Sequence, residues 1–319
     1  MKEIINEINN NDNIVVLVHK NPDGDAIGSG LSLYLLLKKL NKNVDIIISD
    51  APNKFSYLDG FSDIKITSDK KYDLGIILDT ATRDRINASE ALLNNIKRIV
   101  NIDHHISNEL YGDVNYVDGN SASCSMIVYA IANQFNVIDK SIGEAIFNGL
   151  LTDTGGFRNN NTDTLTYKVA YELSKIIDTT YVFKKSLGTV SKSEFNLRKI
   201  AIERLEYFCD NKIAYSYVKQ IDIDNNNATV YDCSGLINIA REIEGVEVSI
   251  FSRILDDVYR VSLRSLHIDV NVIASKFGGG GHKYASGINL DKDVNYEEFL
   301  HNLIKEVELA LNEWNNNCK

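Results

Sequence analysis

Long apolar runs are missing from this sequence: none approaches the ~18 residues that would suggest a membrane span. The opening stretch, Met1-Lys-Glu-Ile-Ile-Asn-Glu, lacks the charged-then-apolar layout of a secretory signal. Thiols are few. Cys124, Cys209, Cys233 and Cys318 are scattered with no Cys-x-x-Cys pair, which argues against a zinc ribbon or a disulfide framework. That usage fits a reducing compartment, and the expected location is the cytoplasm. Positive charge is also scarce, with 34 Lys and Arg against 44 Asp and Glu and a net charge of −10. Proteins that hold long nucleic acid carry a basic face to displace phosphate counterions. Pairs such as Lys184-Lys185 or Arg198-Lys199 read only as solvated helix faces. Binding of a long duplex or a membrane is therefore not expected, and a polyanionic substrate would have to be small.

What is present is the composition of a soluble globular protein, 44% hydrophobic and 24% charged, in a chain of 319 residues with room for two ordinary domains. The run Ile14-Val-Val-Leu-Val18 reads as a buried strand that ends at His19 and is followed closely by Asp23 and Asp25. A helix is expected over 26–40 and a second strand over 44–48. Residues 72–78 give a third strand ending at Asp79-Thr80. A polar segment at 84–95 has helical spacing, and 97–102 is a fourth strand ending at Asp103-His104-His105. Near-continuous apolar strands alternating with helices are the signature of a parallel, doubly wound sheet. Helices follow at 123–136, at 142–152 just before Asp153, and at 163–177, with a loop over 155–162.

The expected organisation is a catalytic domain over 1–186, a helical linker over 187–210 and a smaller α+β domain over 211–319. In that second domain 212–219, 246–254 and 258–263 read as strands, 234–243 and 268–277 as helices. The last helix runs into Gly278-Gly-Gly-Gly281-His282.

Four separated points put acidic or imidazole groups just past an apolar element: His19/Asp23/Asp25, Asp79, Asp103/His104/His105, and Asp153. Singly, each has an ordinary explanation. Asp79 can cap a helix, Asp153 can cap the turn at Gly155, and a histidine after a strand can be a packed surface residue. Jointly they do not. In parallel strands these carboxyl ends converge on one edge of the sheet, where ligands of open α/β folds bind. Two like charges ~4 Å apart repel by about 4 kcal/mol at an effective dielectric near 20. Five such carboxylates need cations, and two divalent ions nearly balance them. Oxygen and imidazole donors without thiolate favour Mn2+ or Mg2+ over structural zinc, and the imidazoles tilt the choice to Mn2+. Such a pair of ions suits phosphoester hydrolysis. The glycine run offers a second centre, because consecutive glycines let backbone N–H groups line a concavity for an anion. Arg264, with Ser265 closing the preceding strand, suits a bidentate grip on phosphate.

The ordered motifs His19-Lys-Asn-Pro-Asp-Gly-Asp-Ala-Ile-Gly-Ser29, Leu78-Asp-Thr80, Asp103-His-His105, Leu151-Thr-Asp-Thr-Gly-Gly-Phe-Arg158 and Gly278 to Gly287 resemble the DHH–DHHA1 family of phosphoesterases across both domains. The resemblance is greatest to the bacterial two-domain nanoRNases. It implies a doubly wound DHH domain joined by a helical linker to a DHHA1 domain. It also implies hydrolysis of short oligoribonucleotides to mononucleotides and of 3′-phosphoadenosine-5′-phosphate (pAp) to AMP. The alternative it leaves is a phosphodiesterase of cyclic di-AMP or the linear di-adenylate pApA. By resemblance, His19 and Asp23 hold one Mn2+ and Asp25, His104 and Asp153 the other, with Asp79 bridging and with Mg2+ or Co2+ as substitutes. His105 contacts the scissile phosphate and Asp103 orients the histidine pair. Arg264, Ser265, Gly279, Gly280, Gly281 and His282 hold the far end of the nucleotide, with Arg158 and Ser123 in support. A cleft between the domains is expected to admit a few nucleotides, and the resemblance admits a homodimer.

Overall fold

Strands such as 14–18 and 74–78, apolar at every position, are satisfied only where both faces of a sheet are covered. In the computed structural model, which describes residues 1–317, they lie at the centre of a parallel sheet. Cys318 falls outside the described residues. The chain divides into two units, Met1–Thr189 and Val190–Lys319.

In the first unit α1 (Lys2–Asn10) leads into β1 (Asn13–Leu17), α2 (Gly24–Lys39), β2 (Asn43–Ile46) and β3 (Leu74–Leu78). Then come the one-turn helix α3 (Glu90–Leu93), β4 (Ile99–Asp103) and β5 (Val114–Val117). Four helices close the unit: α4 (Cys124–Phe135), α5 (Lys140–Asp153), α6 (Thr164–Ser174) and α7 (Thr179–Ser186). The sheet order is β2-β1-β3-β4-β5 and every pairing is parallel. The order reverses between β1 and β3, the switch point at which doubly wound sheets bind ligands. Ile14 and Val16 pack with α2, α4 and α5 in one core, while Val15 and Leu17 face a smaller core with Leu92, Leu93 and Ile96.

Two features depart from the sequence reading. The helix expected over 84–95 is a 3-10 turn at Arg83–Arg85 followed only by α3. Ile86 bridges to His19, which ties that backbone down, and the helix starts later, where the Ser89 hydroxyl accepts the Leu92 N–H. The edge strand β5 was not anticipated, because Asn115 and Tyr116 interrupt the apolar pattern that marks central strands.

The second unit comprises α8 (Lys192–Glu203), β6 (Glu206–Phe208), β7 (Ile213–Lys219), α9 (Gln220–Asn225), β8 (Val248–Ile254), β9 (Val258–Ser265), α10 (Val270–Lys276), β10 (Gly280–His282), β11 (Ala285–Asp291) and α11 (Tyr296–Asn317). Its mixed sheet runs β10-β11-β9-β8-β7-β6. Val261, Leu263 and Ile288 face α10 and α11, whose Phe299, Leu303, Val307 and Leu311 recur every four residues. On the opposite face, Leu197 and Ala201 of α8 pack with Val218 and Phe251. The helical linker expected over 187–210 is thus helical only over Lys192–Glu203, and the chain then turns into β6. The helix expected over 234–243 is two 3-10 turns, Leu236–Asn238 and Ala240–Glu242. No helix among the described residues is long and apolar enough to cross a membrane.

Candidate metal centre

Every acidic or imidazole group singled out in the first unit sits at the end of an element that aims it at the β1/β3 switch point. His19 follows β1. Its Nδ1 lies 2.9 Å from the Lys20 carbonyl, so that nitrogen donates and Nε2 turns toward Asp23 (3.8 Å) and Asp79 (3.6 Å). Asp23 is the N-cap of α2 and accepts from the backbone N–H of Asp25 and Ala26 through one oxygen. Asp25, in the first turn of that helix, is fully buried. Its two oxygens accept from the N–H groups of Cys124 (2.6 Å) and Ser125 (2.9 Å), so the start of α4 holds it.

The Asp79 carboxylate spans two groups. Oδ2 faces His19, and Oδ1 lies 3.4 Å from His104 Nε2 and 3.5 Å from His105 Nδ1. The residue takes a left-handed backbone (φ 52°), uncommon for anything but glycine and asparagine, and this aims the carboxylate back over the strand ends. His104 places Nδ1 on the Ser121 carbonyl and Nε2 3.3 Å from Asp153 and 3.9 Å from Asp25. Two ligand sets of three therefore form, His19/Asp23/Asp79 and Asp25/His104/Asp153, each with its candidate atoms within 4.8 Å of one another.

Asp25 and Asp153 meet because α2 and α5 approach closely at two glycines. A Cβ on Gly28 would lie 2.5 Å from the Ala145 carbonyl, and one on Gly149 would lie 2.5 Å from Asp25 Oδ1. Only hydrogen fits there.

The electrostatics call for a cation. Burial would lower the pKa of His19, yet the Asp23 and Asp79 carboxylates outweigh it and push the value up to about 11. Against the same burial, Asp79 and Asp153 push His104 up to about 11. Asp79 is held well below the usual carboxylate range: burial opposes this, but the imidazoles of His104 and His19 prevail. Burial and the Asp79 charge raise Asp25 to about 7, and burial with Asp25 raises Asp153 well above normal. Asp79 Oδ1 is buried with no hydrogen-bond donor in place. An orphaned carboxylate oxygen, two imidazoles whose Nε2 faces inward, and clustered carboxylates fit hard or borderline divalent ions. The residues present suit a metal centre.

His105 is arranged differently. Its Nδ1 lies 2.7 Å from Oδ1 of the fully buried Asp103, and the His104 N–H donates to the same oxygen. The other oxygen of Asp103 accepts from Asn108 Nδ2 at 2.7 Å, and that amide also reaches the Thr80 carbonyl and Asn101. Asn108 was missed from sequence. Its only signal was a polar residue in the turn just after the histidine pair.

The remaining site candidates are dispersed. Ser123 is buried as the N-cap of α4, its hydroxyl accepting from Met126 N–H. Arg158 is exposed after α5, and its Nε donates to the Gly155 carbonyl. In the second unit Arg264 lies on β9 in register with Ala285, and its guanidinium donates to the Leu263 carbonyl. Burial, with nearby Arg241, lowers its pKa to about 10. Ser265 is buried and its hydroxyl donates to the Ile268 carbonyl. The glycine run corrects an expectation: instead of a concave loop, Gly280–His282 is the exposed edge strand β10, paired with β11. Gly279 precedes it where a Cβ would come within 2.3 Å of the Gly287 carbonyl. His282 pairs with Ala285, so the glycine–histidine hairpin and Arg264 flank β11 within one sheet.

Comparison with known proteins agrees with this organisation. Residues 13–152 match the model of the DHH family, N-terminal domain, and residues 210–313 that of the DHHA1 domain. A probable bifunctional oligoribonuclease and PAP phosphatase NrnA of Streptococcus mutans is 31% identical, over 95% of this chain and 99% of that protein. The bifunctional oligoribonuclease and PAP phosphatase NrnA of Bacillus subtilis is 28% identical, over 90% and 92%. The crystal structure of an exopolyphosphatase-related protein from Bacteroides fragilis superposes with a TM-score of 0.84 at 27% identity, covering 98% of this chain and 97% of that one.

Proposed function

The chain belongs to the DHH family, with a DHHA1 domain in its second unit, and on that premise we propose that it hydrolyses short oligoribonucleotides to mononucleotides and pAp to AMP. The observation that carries the reading is the Asp79 carboxylate, which turns one oxygen to each of two ligand sets. Two Mn2+ ions are assigned there, one on His19 and Asp23 and one on Asp25, His104 and Asp153, with Asp79 common to both. When bound, such a pair supplies positive charge for the phosphate and water acidified to near neutrality.

The protein's own groups do the rest. The start of α4 fixes Asp25 through two backbone N–H bonds, which favour its charged form against the burial that opposes it. The carbonyls of Lys20 and Ser121 hold His19 and His104 in the tautomer that presents Nε2. Asp103, itself fixed by Asn108, holds the Nδ1 proton of His105 and stabilises the imidazolium, so the Nε2 edge of His105 can donate to a phosphoryl oxygen. In the second unit, Arg264 and the Gly279–His282 segment are assigned to a substrate phosphate and nucleoside, and Ser265 to support of that strand end. Ser123 supports the metal centre through the α4 cap, and Arg158 is assigned a peripheral contact. The first unit is assigned the chemistry and the second the recognition, in a cytoplasmic enzyme.

The test is a substrate panel of a five-nucleotide RNA, pAp, pApA and cyclic di-AMP, assayed with Mn2+ on the unsubstituted chain and on Asp79→Ala. The RNA and pAp are expected to turn over, and the variant is expected to lose turnover on every substrate. Near-normal activity of Asp79→Ala would overturn the assignment.

A further inference from the structure

One face of the second sheet carries three arginines that make no ion pair among the described residues. Val261 and Leu263 of β9 point into the core beneath α10 and α11. The two-residue period of a strand therefore puts Arg260 and Arg264 on the opposite face. Arg253 of β8 is the direct cross-strand partner of Arg260, so the two guanidinium stems lie side by side on that face. Both residues are half-buried, and among the described residues neither makes an ion pair. Partly buried like charges set side by side are costly unless an anion joins them. Burial lowers the Arg253 guanidinium, Cys233 opposes that, and Arg260 adds to the lowering.

The neighbouring strand leaves room. On this face β11 presents Ala285, Gly287 and Asn289 in register with Arg264, Ser262 and Arg260. A Cβ added at Gly287 would meet nothing closer than the Val261 carbonyl at 3.6 Å. Arg260 and Arg264 are four residues apart on an extended strand, about 13 Å between Cα atoms, which leaves room for two phosphates along this face.

We propose that Arg253 and Arg260 form a second phosphate subsite, which takes an internucleotide phosphate of an oligonucleotide whose neighbouring phosphate lies on Arg264. This rests on the nucleotide-hydrolase reading above and adds a length discrimination to it. In pAp one of the two phosphates is the group hydrolysed at the metal centre, which leaves a single phosphate for these positions. An oligonucleotide of several residues uses both, each through forked, charge-assisted hydrogen bonds.

The experiment compares the full chain with Arg260→Gln and Arg260→Lys. Binding of a labelled five-nucleotide RNA is followed in EDTA across a salt series, and kcat/KM is measured with Mn2+ on that RNA and on pAp. Arg260→Gln is expected to weaken RNA binding about tenfold and to reduce the log–log salt slope by about 0.7, the value of one phosphate contact on a single strand. Its kcat/KM is expected to fall about tenfold more on the RNA than on pAp, and Arg260→Lys to recover part of the loss. An unchanged salt slope, or equal losses on both substrates, overturns the subsite. Loss of RNA binding in Arg260→Gln supports it even where the unsubstituted chain hydrolyses neither substrate, an outcome that defeats the hydrolase reading alone.

Discussion

Replacing Gly149 with alanine tests the helix contact on which the metal centre depends. The added methyl would lie 1.9 Å from Ser125 Oγ, 2.7 Å from Ser125 Cβ and 2.5 Å from Asp25 Oδ1. The serine hydroxyl can rotate away, but Ser125 Cβ cannot. The Asp25 carboxylate is pinned by the Cys124 and Ser125 N–H groups and would forfeit them by turning. Restoring ordinary contact at ~3.5 Å requires a shift of about 1 Å, either of Asp25 or of α5, which carries Asp153 at its last turn. Both routes separate two ligands of one set. Overpacking costs ~1–3 kcal/mol, partly offset by the ~1 kcal/mol that alanine gains over glycine inside a helix. The variant is therefore expected to fold, with a net loss of no more than about 2 kcal/mol. A misplacement near 1 Å can cost ~100-fold in rate, so activity should fall far more than stability. Urea unfolding, Mn2+ titration by calorimetry and kcat/KM measured together separate the two effects. Gly30→Ala is the contrast, because its Cβ would meet only Val18 Cγ1 at 3.1 Å and Ile46 Cδ1 at 3.6 Å, side-chain ends that can yield. Unchanged Mn2+ affinity and turnover in Gly149→Ala would refute the argument.

Three further predictions follow from the same geometry. Asn108→Ala strands one oxygen of buried Asp103; turnover should fall ~10–100-fold, as for other outer-sphere changes, while Mn2+ stoichiometry stays intact. In the metal-free protein His19 and His104 hold protons to about pH 11, so Mn2+ must displace them. Mn2+ binding should release protons and tighten from pH 6 to pH 9, and an affinity independent of pH would contradict the charge assignment. Asp45 is mostly buried, and although burial opposes it, Lys65, Lys70 and Tyr72 hold its pKa down at about 2. A depressed carboxylate stabilises the fold above its unfolded pKa near 4 and loses that contribution as pH falls through 2. The stability deficit of Asp45→Asn in urea, about 2 kcal/mol at neutral pH, should shrink across that window.

The convergence of strand ends was legible because it depends on local signals alone, buried strand runs that stop at carboxylates. His19, Asp79 and Asp103 each follow such a run, and parallel pairing aligns them. The contacts that order the site were not legible, since they join distant segments. Nothing near Asp25 shows that the N–H groups of Cys124 and Ser125 will hold it, nor that Gly149 must lack a side chain to face it. The glycine run misled for a related reason. Four glycines can form a concave loop or an edge strand, and the choice falls to β11, which lies beyond the run and was itself not foreseen. The long C-terminal helix α11 escaped notice although its apolar residues recur every four positions.

The candidate ligands are drawn from the whole first unit: the end of β1, the start of α2, the ends of β3 and β4, and the last turn of α5. During synthesis no partial product can chelate as the finished protein does, because Asp153 is the last of them to emerge. Ion binding then acts as a latch on a completed fold. Each opening of an element releases the ions, and an ion present at a hundred times its dissociation constant adds about 2.7 kcal/mol against unfolding. Chelation is therefore expected to quicken proteolysis of this unit as well as to stop turnover. The supply of the bound ion would then bear on how long each copy survives.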